Sequence, residues 1–412
     1  MNTLGRRKFM KWLGAAGAGV VMSRSRYGHV SAQTRETIKI GFVASLTGGF
    51  SVFASDAARS AALAVEQVNA KGGVLGKKVE MLVRDDQLNP RVGAQKAREL
   101  IENDKVQFMG GGLAAHVQMA MNEQTKKANM LFISCSMSDE ITAKPDGNRL
   151  TFHEGLNPTI VARSIAGWVA QNLGKRWWVL YADYAWGKQL LAGFSRVAEQ
   201  KGATVIGSTP YPLGSSDFSG YLPRIQGARP DVLLVASPGV DTENSLKAIT
   251  SFGLKKEMKV VHPVLLLSST KAGGAEAFAG VYAGAGFYWG LKDKLPSAKH
   301  YVETYWAKYG QPPDIYGGYG YGSVLEIMRG IELAKSLDSE AVANALRANP
   351  TYDHYKGKQW WRTCDNKSFQ DQLIVKPRDP GKNEGDWGLF EIVSTIKADE
   401  SVERTCAEKG WA

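Results

Sequence analysis

Side chains that could bind a small molecule are concentrated in four short segments, each following an apolar run of strand character. The segments are residues 46–55, 110–116, 134–138 and 183–187. Together they offer aromatic rings and hydroxyl groups, at Phe53, Ser134, Ser136, Ser138, Tyr184 and Trp186. A helix that begins in such a segment adds backbone N–H groups and a positive dipole end, both of which favour a carboxylate. The chemistry these residues suit is noncovalent binding.

Residues that could hold a metal or act as a nucleophile show no matching pattern. The six histidines are scattered, and the three cysteines lie far apart, at Cys135, Cys364 and Cys406. The chain has no Gly-x-Ser-x-Gly turn, no P-loop and no zinc-protease helix motif. Acids such as Asp85, Asp86 and Asp183 end strand-like runs, where solvated loops are expected. We therefore predict no enzyme activity, no metal and no cofactor.

The elements that must position these segments alternate along the chain. Strand-like runs are expected at residues 38–43, 79–83, 106–109, 130–133, 177–181, 204–206, 232–236 and 260–267. Helical periodicity is expected at residues 158–173, 186–201, 242–252, 297–309, 321–336 and 339–349, besides the helix after residue 50. This alternation predicts an α/β fold in which helices cover both faces of parallel sheets. A length of 412 residues suits two such lobes.

The sequence motifs of residues 38–106 resemble those of a known protein family. It runs IKIGFVASLTG, then SDAARSAALAVEQVNAKGGVLGKKVEMLVRDDQLNP, then AQKARELIENDKV. This stretch resembles the first lobe of the type I periplasmic solute-binding proteins, in the leucine/isoleucine/valine-binding branch. The resemblance implies two Rossmann-like lobes with parallel sheets, joined by a three-segment hinge near residues 155–157, 284–289 and 357–362. Lobe 1 would be residues 36–157 plus 287–357, and lobe 2 residues 158–286 plus 358–412.

The resemblance also implies roles for residues in the four segments. Phe53 stands where an aromatic ring covers the ligand, and Trp186, beside Tyr184, stands where an aromatic residue closes over it. The loop with Leu113, Ala114, Ala115 and His116 would bind a carboxylate, although alanines replace the usual serine. The loop with Ser134, Ser136, Met137 and Ser138 would add a carbonyl, an amide and hydroxyls. Plainer roles stay open: Phe53 as core, His116 as a surface or capping residue, Met137 as core, and Ser136 and Ser138 as helix caps.

One departure from the resembled proteins bears on the ligand. Amino-acid binders of this family place an acid after the strand that corresponds to residues 260–267, where it meets the ligand ammonium. Here that position carries Val264 and Leu265. Because a buried ammonium without an anionic partner costs several kcal/mol, a hydrophobic or aromatic monocarboxylate is favoured. A branched-chain amino acid remains the family default, with Asp183 or Asp241 as a relocated partner.

The N-terminus predicts export. Residues 6–11 read Arg-Arg-Lys-Phe-Met-Lys, an apolar run follows at 12–22, and Val30-Ser31-Ala32 offers small residues for cleavage. The pattern resembles a Tat signal peptide over residues 1–32, which implies a periplasmic protein without a stable membrane anchor. Six of the basic residues lie there without any acid, so most of the net charge of +11 does not belong to the exported part. A nucleic-acid partner is not expected.

The expected function is capture of a small organic ligand for the permease of an ABC importer. A ligand-sensing receptor without transport is the first alternative, and a periplasmic enzyme the second. In an oxidising compartment Cys364 and Cys406 could pair, closing a loop of about forty residues.

Overall fold

Two mixed sheets form the framework of the protein. A computed structural model describes residues 37–411, so the predicted signal peptide at residues 1–32 lies outside the described residues. The strands are β1 (Ile38–Ala44), β2 (Val79–Asp85), β3 (Phe108–Gly111), β4 (Phe132–Ser134), β5 (Thr151–His153), β6 (Arg176–Ala182), β7 (Thr204–Tyr211), β8 (Val232–Ala236), β9 (Lys259–His262), β10 (Val281–Ala285), β11 (Thr351–Tyr352), β12 (Gln359–Arg362), β13 (Lys367–Phe369), β14 (Gln372–Pro377) and β15 (Phe390–Ile396).

Each sheet has a parallel core with antiparallel strands at one edge. The first sheet has the order β11-β12-β13-β5-β4-β3-β1-β2, and the second β15-β14-β10-β9-β8-β6-β7. Strands β1 to β5 pair in parallel, as do β6 to β10. The hairpins β11–β12–β13 and β14–β15 extend the two sheets with antiparallel pairs. We call the first sheet with its helices lobe 1 and the second lobe 2.

Helices connect the parallel strands and cover the sheets. They are α1 (Ser51–Ala70), α2 (Pro90–Glu102), α3 (Ala115–Lys127), α4 (Pro158–Asn172), α5 (Ala185–Gln200), α6 (Leu222–Ala228), α7 (Val240–Ser251), α8 (Leu267–Gly273), α9 (Ala275–Phe278), α10 (Pro296–Tyr309), α11 (Ile315–Ala334) and α12 (Ser339–Ala348). Local sequence explains several starts. Asn89 and Asn157 cap α2 and α4 by accepting backbone N–H bonds, and a proline follows each asparagine.

Helix α11 begins six residues before the predicted start at residue 321. Its first turns contain Gly317, Gly318 and Gly320, which have low helix propensity and hid the helix from a periodicity argument. Gly317 and Gly320 are needed because α11 packs closely on α1. A β-carbon at Gly320 would lie 2.3 Å from the Ala57 carbonyl oxygen, and one at Gly317 would lie 2.3 Å from the Asp56 carboxylate.

The last passage between the sheets corrects a predicted boundary. The chain leaves the first sheet after β5, and returns after β10 through α10 to α12. Strands β12 and β13 then still belong to the first sheet, so the passage to the second sheet falls at residues 370–371, not at 357–362. The prediction that residues 358–412 all belong to lobe 2 is therefore wrong for this hairpin. Its strand β13 pairs with the open edge of β5, through Lys367 and His153.

The end of the chain returns to lobe 1. A disulfide joins Cys364, in the turn between β12 and β13, to Cys406. Beside it, the buried Lys409 ammonium lies 2.8 Å from the Asp365 carboxylate, and the Trp411 indole N–H donates to the Thr142 carbonyl at 2.7 Å. Cys135 is a free, buried thiol. Within residues 37–411, none of the helices is both long and apolar enough to cross a membrane.

Candidate functional site

A cavity lies between the two lobes, at the carboxyl ends of the parallel strands. Its empty volume is about 450 Å3, counting the part that opens to solvent. Its walls come from the loops and helix starts that follow β1, β3, β4, β6, β8 and β9, and from the start of α11: Phe50, Phe53, Leu113, Ala115, Ser136, Met137, Tyr184, Trp186, Ser237, Pro238, Gly239, Thr242, Val264, Leu266 and Tyr316.

The cavity brings together eight of the residues that the sequence singled out. They are Phe53, Leu113, Ala115, Ser136, Met137, Tyr184, Trp186 and Val264. These residues come from both lobes and are far apart in the sequence. The strand-end rule for open α/β sheets explains their meeting, because all of them follow strands whose carboxyl ends face the same cleft.

Five other predicted residues do not line the cavity, and each has another role. Ala114 is the buried N-cap residue of α3, and Leu265 is fully buried. The Ser134 hydroxyl donates to the Gln118 side chain, and the Ser138 hydroxyl accepts the Glu140 N–H at 3.2 Å. His116 lies behind the wall, where its ring meets the Tyr184 ring edge-on with centroids 5.9 Å apart. Burial lowers the pKa of His116.

Residues that sequence reasoning missed complete the walls. The loop after β8 contributes Ser237, Pro238, Gly239 and Thr242, and the same strand-end rule would have found it. Phe50 and Tyr316 extend the aromatic wall around Phe53. The ring centroid of Phe53 lies 4.7 Å from that of Phe50 and 4.7 Å from that of Tyr316, on which it stacks. The stack with Tyr316 joins residues 263 positions apart, and no local signal in the sequence predicts it.

None of the residues lining the cavity is charged. Asp183 is exposed, and its carboxylate lies 2.9 Å from the Lys188 ammonium. The Asp241 carboxylate accepts the Gly214 N–H at 2.9 Å, and burial raises its pKa to about 6. His262, behind the loop of β8, lies 2.9 Å from the Ser237 carbonyl, and burial lowers its pKa to about 4. An ammonium in the cavity would therefore have no anionic partner on its walls.

Three long helices begin at the cavity without a side-chain cap. Helix α3 begins at Ala115, α5 follows Tyr184 and α7 follows Gly239, and none of their N-cap side chains accepts a backbone N–H. Their positive ends favour an anion or an oxygen acceptor. Three buried polar atoms of the lining residues, Ser136 Oγ, Trp186 Nε1 and Ser237 Oγ, also have no hydrogen-bond partner among the described residues. The Ser237 hydroxyl lies beside that of Tyr211.

The two lobes touch at residues that line the cavity or adjoin its lining residues. Gly239 of lobe 2 adopts a φ of 55°, and a β-carbon there would lie 2.6 Å from the Gly49 carbonyl oxygen of lobe 1. The Asp314 carboxylate, at the N-cap of α11 in lobe 1, accepts the Leu267 N–H at 3.1 Å and the Ser268 N–H at 2.8 Å, at the start of α8 in lobe 2. Asp314 thus caps two helices from different lobes.

Behind this contact lies a second buried acid. The Asp56 carboxylate of α1 accepts the Asp314 N–H at 2.9 Å and the Tyr305 hydroxyl. Burial, together with the nearby Asp314 carboxylate, raises the pKa of Asp56 to about 7. Burial also raises the pKa of Asp314.

The chain is similar in sequence and in structure to known binding proteins. A family model described as periplasmic binding protein matches residues 37–382. A Leu/Ile/Val-binding protein homolog of Brucella melitensis is 27% identical over 318 residues, which cover 75% of this chain and 83% of that protein. An amino acid ABC transporter substrate-binding protein from Pseudomonas fluorescens is 26% identical with a TM-score of 0.84, over 92% of this chain and 99% of that one.

A further solved structure shares the fold. It is a solute-binding protein of an ABC transporter from Rhodopseudomonas palustris, in complex with 3,4-dihydroxybenzoic acid. Its TM-score is 0.78 at 23% identity, over 88% of this chain and 98% of that one. This likeness shows the fold alone. Together with the two sheets, the structural likenesses confirm the predicted α/β fold of two lobes.

Proposed function

The chain belongs to the periplasmic binding protein family, as its motifs predicted, and from that premise we propose that it is the exported solute-binding component of an ABC importer. It captures a small monocarboxylate with an apolar or aromatic body between its two lobes. The closed complex then delivers the ligand to the transmembrane subunits of a permease. Binding is the only chemistry required of it.

The uncharged cavity is the observation that carries the choice of ligand. An amino acid would bring a buried ammonium to walls without an anionic side chain, at a cost of several kcal/mol. Asp183 and Asp241 were the predicted substitutes, but Asp183 pairs with Lys188 and Asp241 accepts the Gly214 N–H instead. A monocarboxylate without an amino group avoids this cost.

The carboxylate is assigned to the lobe 1 side of the cavity. There the uncapped start of α3, at Ala115, and the free Ser136 hydroxyl supply donors and a positive dipole end. The aromatic wall of Phe50, Phe53 and Tyr316 would cover the rest of the ligand. Flat aromatic or branched aliphatic bodies fit such a wall through stacking and burial of apolar area.

A matched pair of ligands tests the choice. Leucine and 4-methylpentanoate share a carbon skeleton and a carboxylate but differ in the ammonium. We expect 4-methylpentanoate or benzoate to raise the melting temperature of the full chain, and leucine to leave it unchanged. Ligand at one hundred times its Kd stabilises the folded state by about 2.7 kcal/mol. Stabilisation by leucine, isoleucine or valine but by neither acid would show that this is a branched-chain amino acid binder, as the names of its relatives suggest.

Two serines of one loop test the carboxylate assignment. Ser136→Ala removes the free hydroxyl of the cavity wall, and we expect it to weaken acid binding about 5- to 50-fold. Ser138→Ala is the matched control, because that hydroxyl accepts the Glu140 N–H and does not line the cavity. Equal affinities in the two variants would contradict the assignment.

An uptake assay distinguishes a role in transport from a role in sensing. Deleting the gene should abolish uptake of the labelled acid in the native organism if the protein serves a permease. Unchanged uptake, with loss of a transcriptional response to the acid, would favour the receptor alternative. Cell fractionation tests the periplasmic location.

A further inference from the structure

The indole N–H of Trp186 is a buried donor without a partner. The Trp186 side chain lines the cavity, the residue is 5% exposed, and Nε1 has no hydrogen-bond partner among the described residues. An indole N–H can only donate. Since a buried donor left unpaired destabilises the protein, the group requires an acceptor from elsewhere.

Six other tryptophans of this chain have a hydrogen-bond partner for the indole N–H. Six indole N–H groups donate to a protein oxygen at 2.6 to 3.0 Å, those of Trp177, Trp178, Trp289, Trp360, Trp361 and Trp411. Their acceptors are four uncharged oxygens and two carboxylates. Trp186 differs from them because it lines the cavity, where a ligand can supply the acceptor.

The surroundings of Trp186 favour an oxygen over an ammonium. Trp186 lies in the first turn of α5, whose positive end has no side-chain cap. Helix α7, which follows the neighbouring strand β8, carries Asp241 and Glu243 in its first turn, and these acids offset its positive end. An ammonium beside Trp186 would meet the positive end of α5, which has no acid in its first turn, and an indole N–H that can only donate. A carbonyl or hydroxyl oxygen would meet favourable partners.

We infer that lobe 2 carries a second polar subsite, in which Trp186 Nε1 donates to an uncharged oxygen of the ligand. This inference rests on the proposed function, because it assumes that the carboxylate occupies the Ser136 side. The ligand class is then a monocarboxylate with an additional carbonyl or hydroxyl oxygen, such as a 2-oxo acid or a hydroxybenzoate. When the lobes close, the ligand carboxylate meets the donors of lobe 1 and the additional oxygen meets Trp186 Nε1 of lobe 2.

The experiment compares acids that differ only in that oxygen. Calorimetric affinities of the full chain are measured for 4-methyl-2-oxopentanoate against 4-methylpentanoate, and for 3- and 4-hydroxybenzoate against benzoate. We expect at least one oxygenated acid to bind about 5- to 100-fold more tightly than its plain partner. Comparable affinities throughout would overturn the inference and leave the proposed function standing. Failure of every acid to bind would refute the proposed function, and the inference with it.

A variant assigns the preference to the indole N–H. Trp186→Phe keeps an aromatic ring and removes the donor, so the ratio between the affinities of the oxygenated acid and its plain partner should fall to about one. Trp178→Phe is the control, because its Nε1 donates at 3.0 Å to Thr209 Oγ1 and the residue does not line the cavity. A preference retained in Trp186→Phe would overturn the role of Trp186. If that variant does not fold, the ratio measured with the unmodified chain still decides whether an oxygen is recognised.

Discussion

Replacement of Asp314 by asparagine tests whether one carboxylate holds the lobes together around the ligand. Asp314 Oδ1 accepts the N–H groups of Leu267 and Ile315, at 3.1 and 2.8 Å. Its Oδ2 accepts the backbone N–H and the hydroxyl of Ser268, at 2.8 and 2.7 Å. Leu267 and Ser268 begin a helix of lobe 2, so three of the four hydrogen bonds cross between the lobes.

The structure gives the expected magnitude. An asparagine side chain keeps one acceptor oxygen and places an NH2 group where the other was, so two of the four hydrogen bonds are lost. At about 1.5 kcal/mol for each bond to a charged group, the loss is about 3 kcal/mol. Removing a buried charge beside the Asp56 carboxylate offsets part of it. We expect a net loss of about 2 kcal/mol in the free energy of lobe closure, which corresponds to about 30-fold weaker ligand binding.

Calorimetry with the tightest-binding acid of the panels above measures the effect, and urea unfolding measures stability alongside. Asp338→Asn is the matched control, because Asp338 caps α12 within lobe 1 by accepting only the Ala341 N–H, at 2.9 Å. Asparagine caps a helix about as well as aspartate, so this control should leave affinity unchanged. An unchanged affinity in Asp314→Asn, with lowered stability, would refute the reasoning, since the contact would then exist in the open form too.

Three further predictions concern lobe closure, the pH dependence of stability and the disulfide between Cys364 and Cys406. Gly239→Ala should weaken ligand binding more than tenfold, because its β-carbon meets the main chain of the opposite lobe, whereas Gly274→Ala, with a similarly positive φ of 88° and open space, should not. Between pH 6.5 and 4 the His262 imidazole takes up a proton in the unfolded chain but not in the folded state, where burial lowers its pKa to about 4. The folded state should therefore lose about 3 kcal/mol of stability as the pH falls through this range. His262→Gln should reduce this acid destabilisation in urea unfolding, and the exposed His300→Gln should not. Cys364→Ser opens a crosslink between residues 42 positions apart and should lower the unfolding free energy by about 4 kcal/mol.

Each of these has a result that would contradict it. Equal ligand affinities in the two glycine variants would mean that the lobes do not meet at Gly239 when ligand is bound. An unchanged acid slope in His262→Gln would mean that its proton uptake does not differ between the folded and unfolded states. If a reducing agent leaves the unfolding midpoint of the unmodified chain unchanged, the disulfide does not stabilise the folded state.

Prediction from the sequence worked best where the signal is local. Apolar runs and helical periods located most strands and helices, because side-chain periodicity depends only on near neighbours. The same reasoning missed the start of α11, where glycines lower helix propensity but permit close packing on α1. It also extended the strand at β9 to residue 267, although β9 ends at His262 and the apolar residues beyond it form the cavity wall and the start of α8.

The candidate site was predictable in part for a similar reason. Parallel strands present their carboxyl ends at one edge, so the loops that hold Phe53, Ser136 and Trp186 were identifiable without coordinates. The rule does not say which side chain of a loop turns inward. Ser136 lines the cavity while Ser138, two residues later, accepts the Glu140 N–H.

The sequence by itself determined the family, the alternation of strands and helices, and the lack of an acid after residue 262. These follow from residue types and short-range order. Only the tertiary structure decided that Asp183 and Asp241 turn to other partners, that Tyr316 stacks on Phe53, and that the Trp186 indole N–H is left unpaired. Apart from the Asp183–Lys188 pair, which is local, these features depend on the tertiary packing of segments that are separated in the chain, and no local pattern encodes that packing.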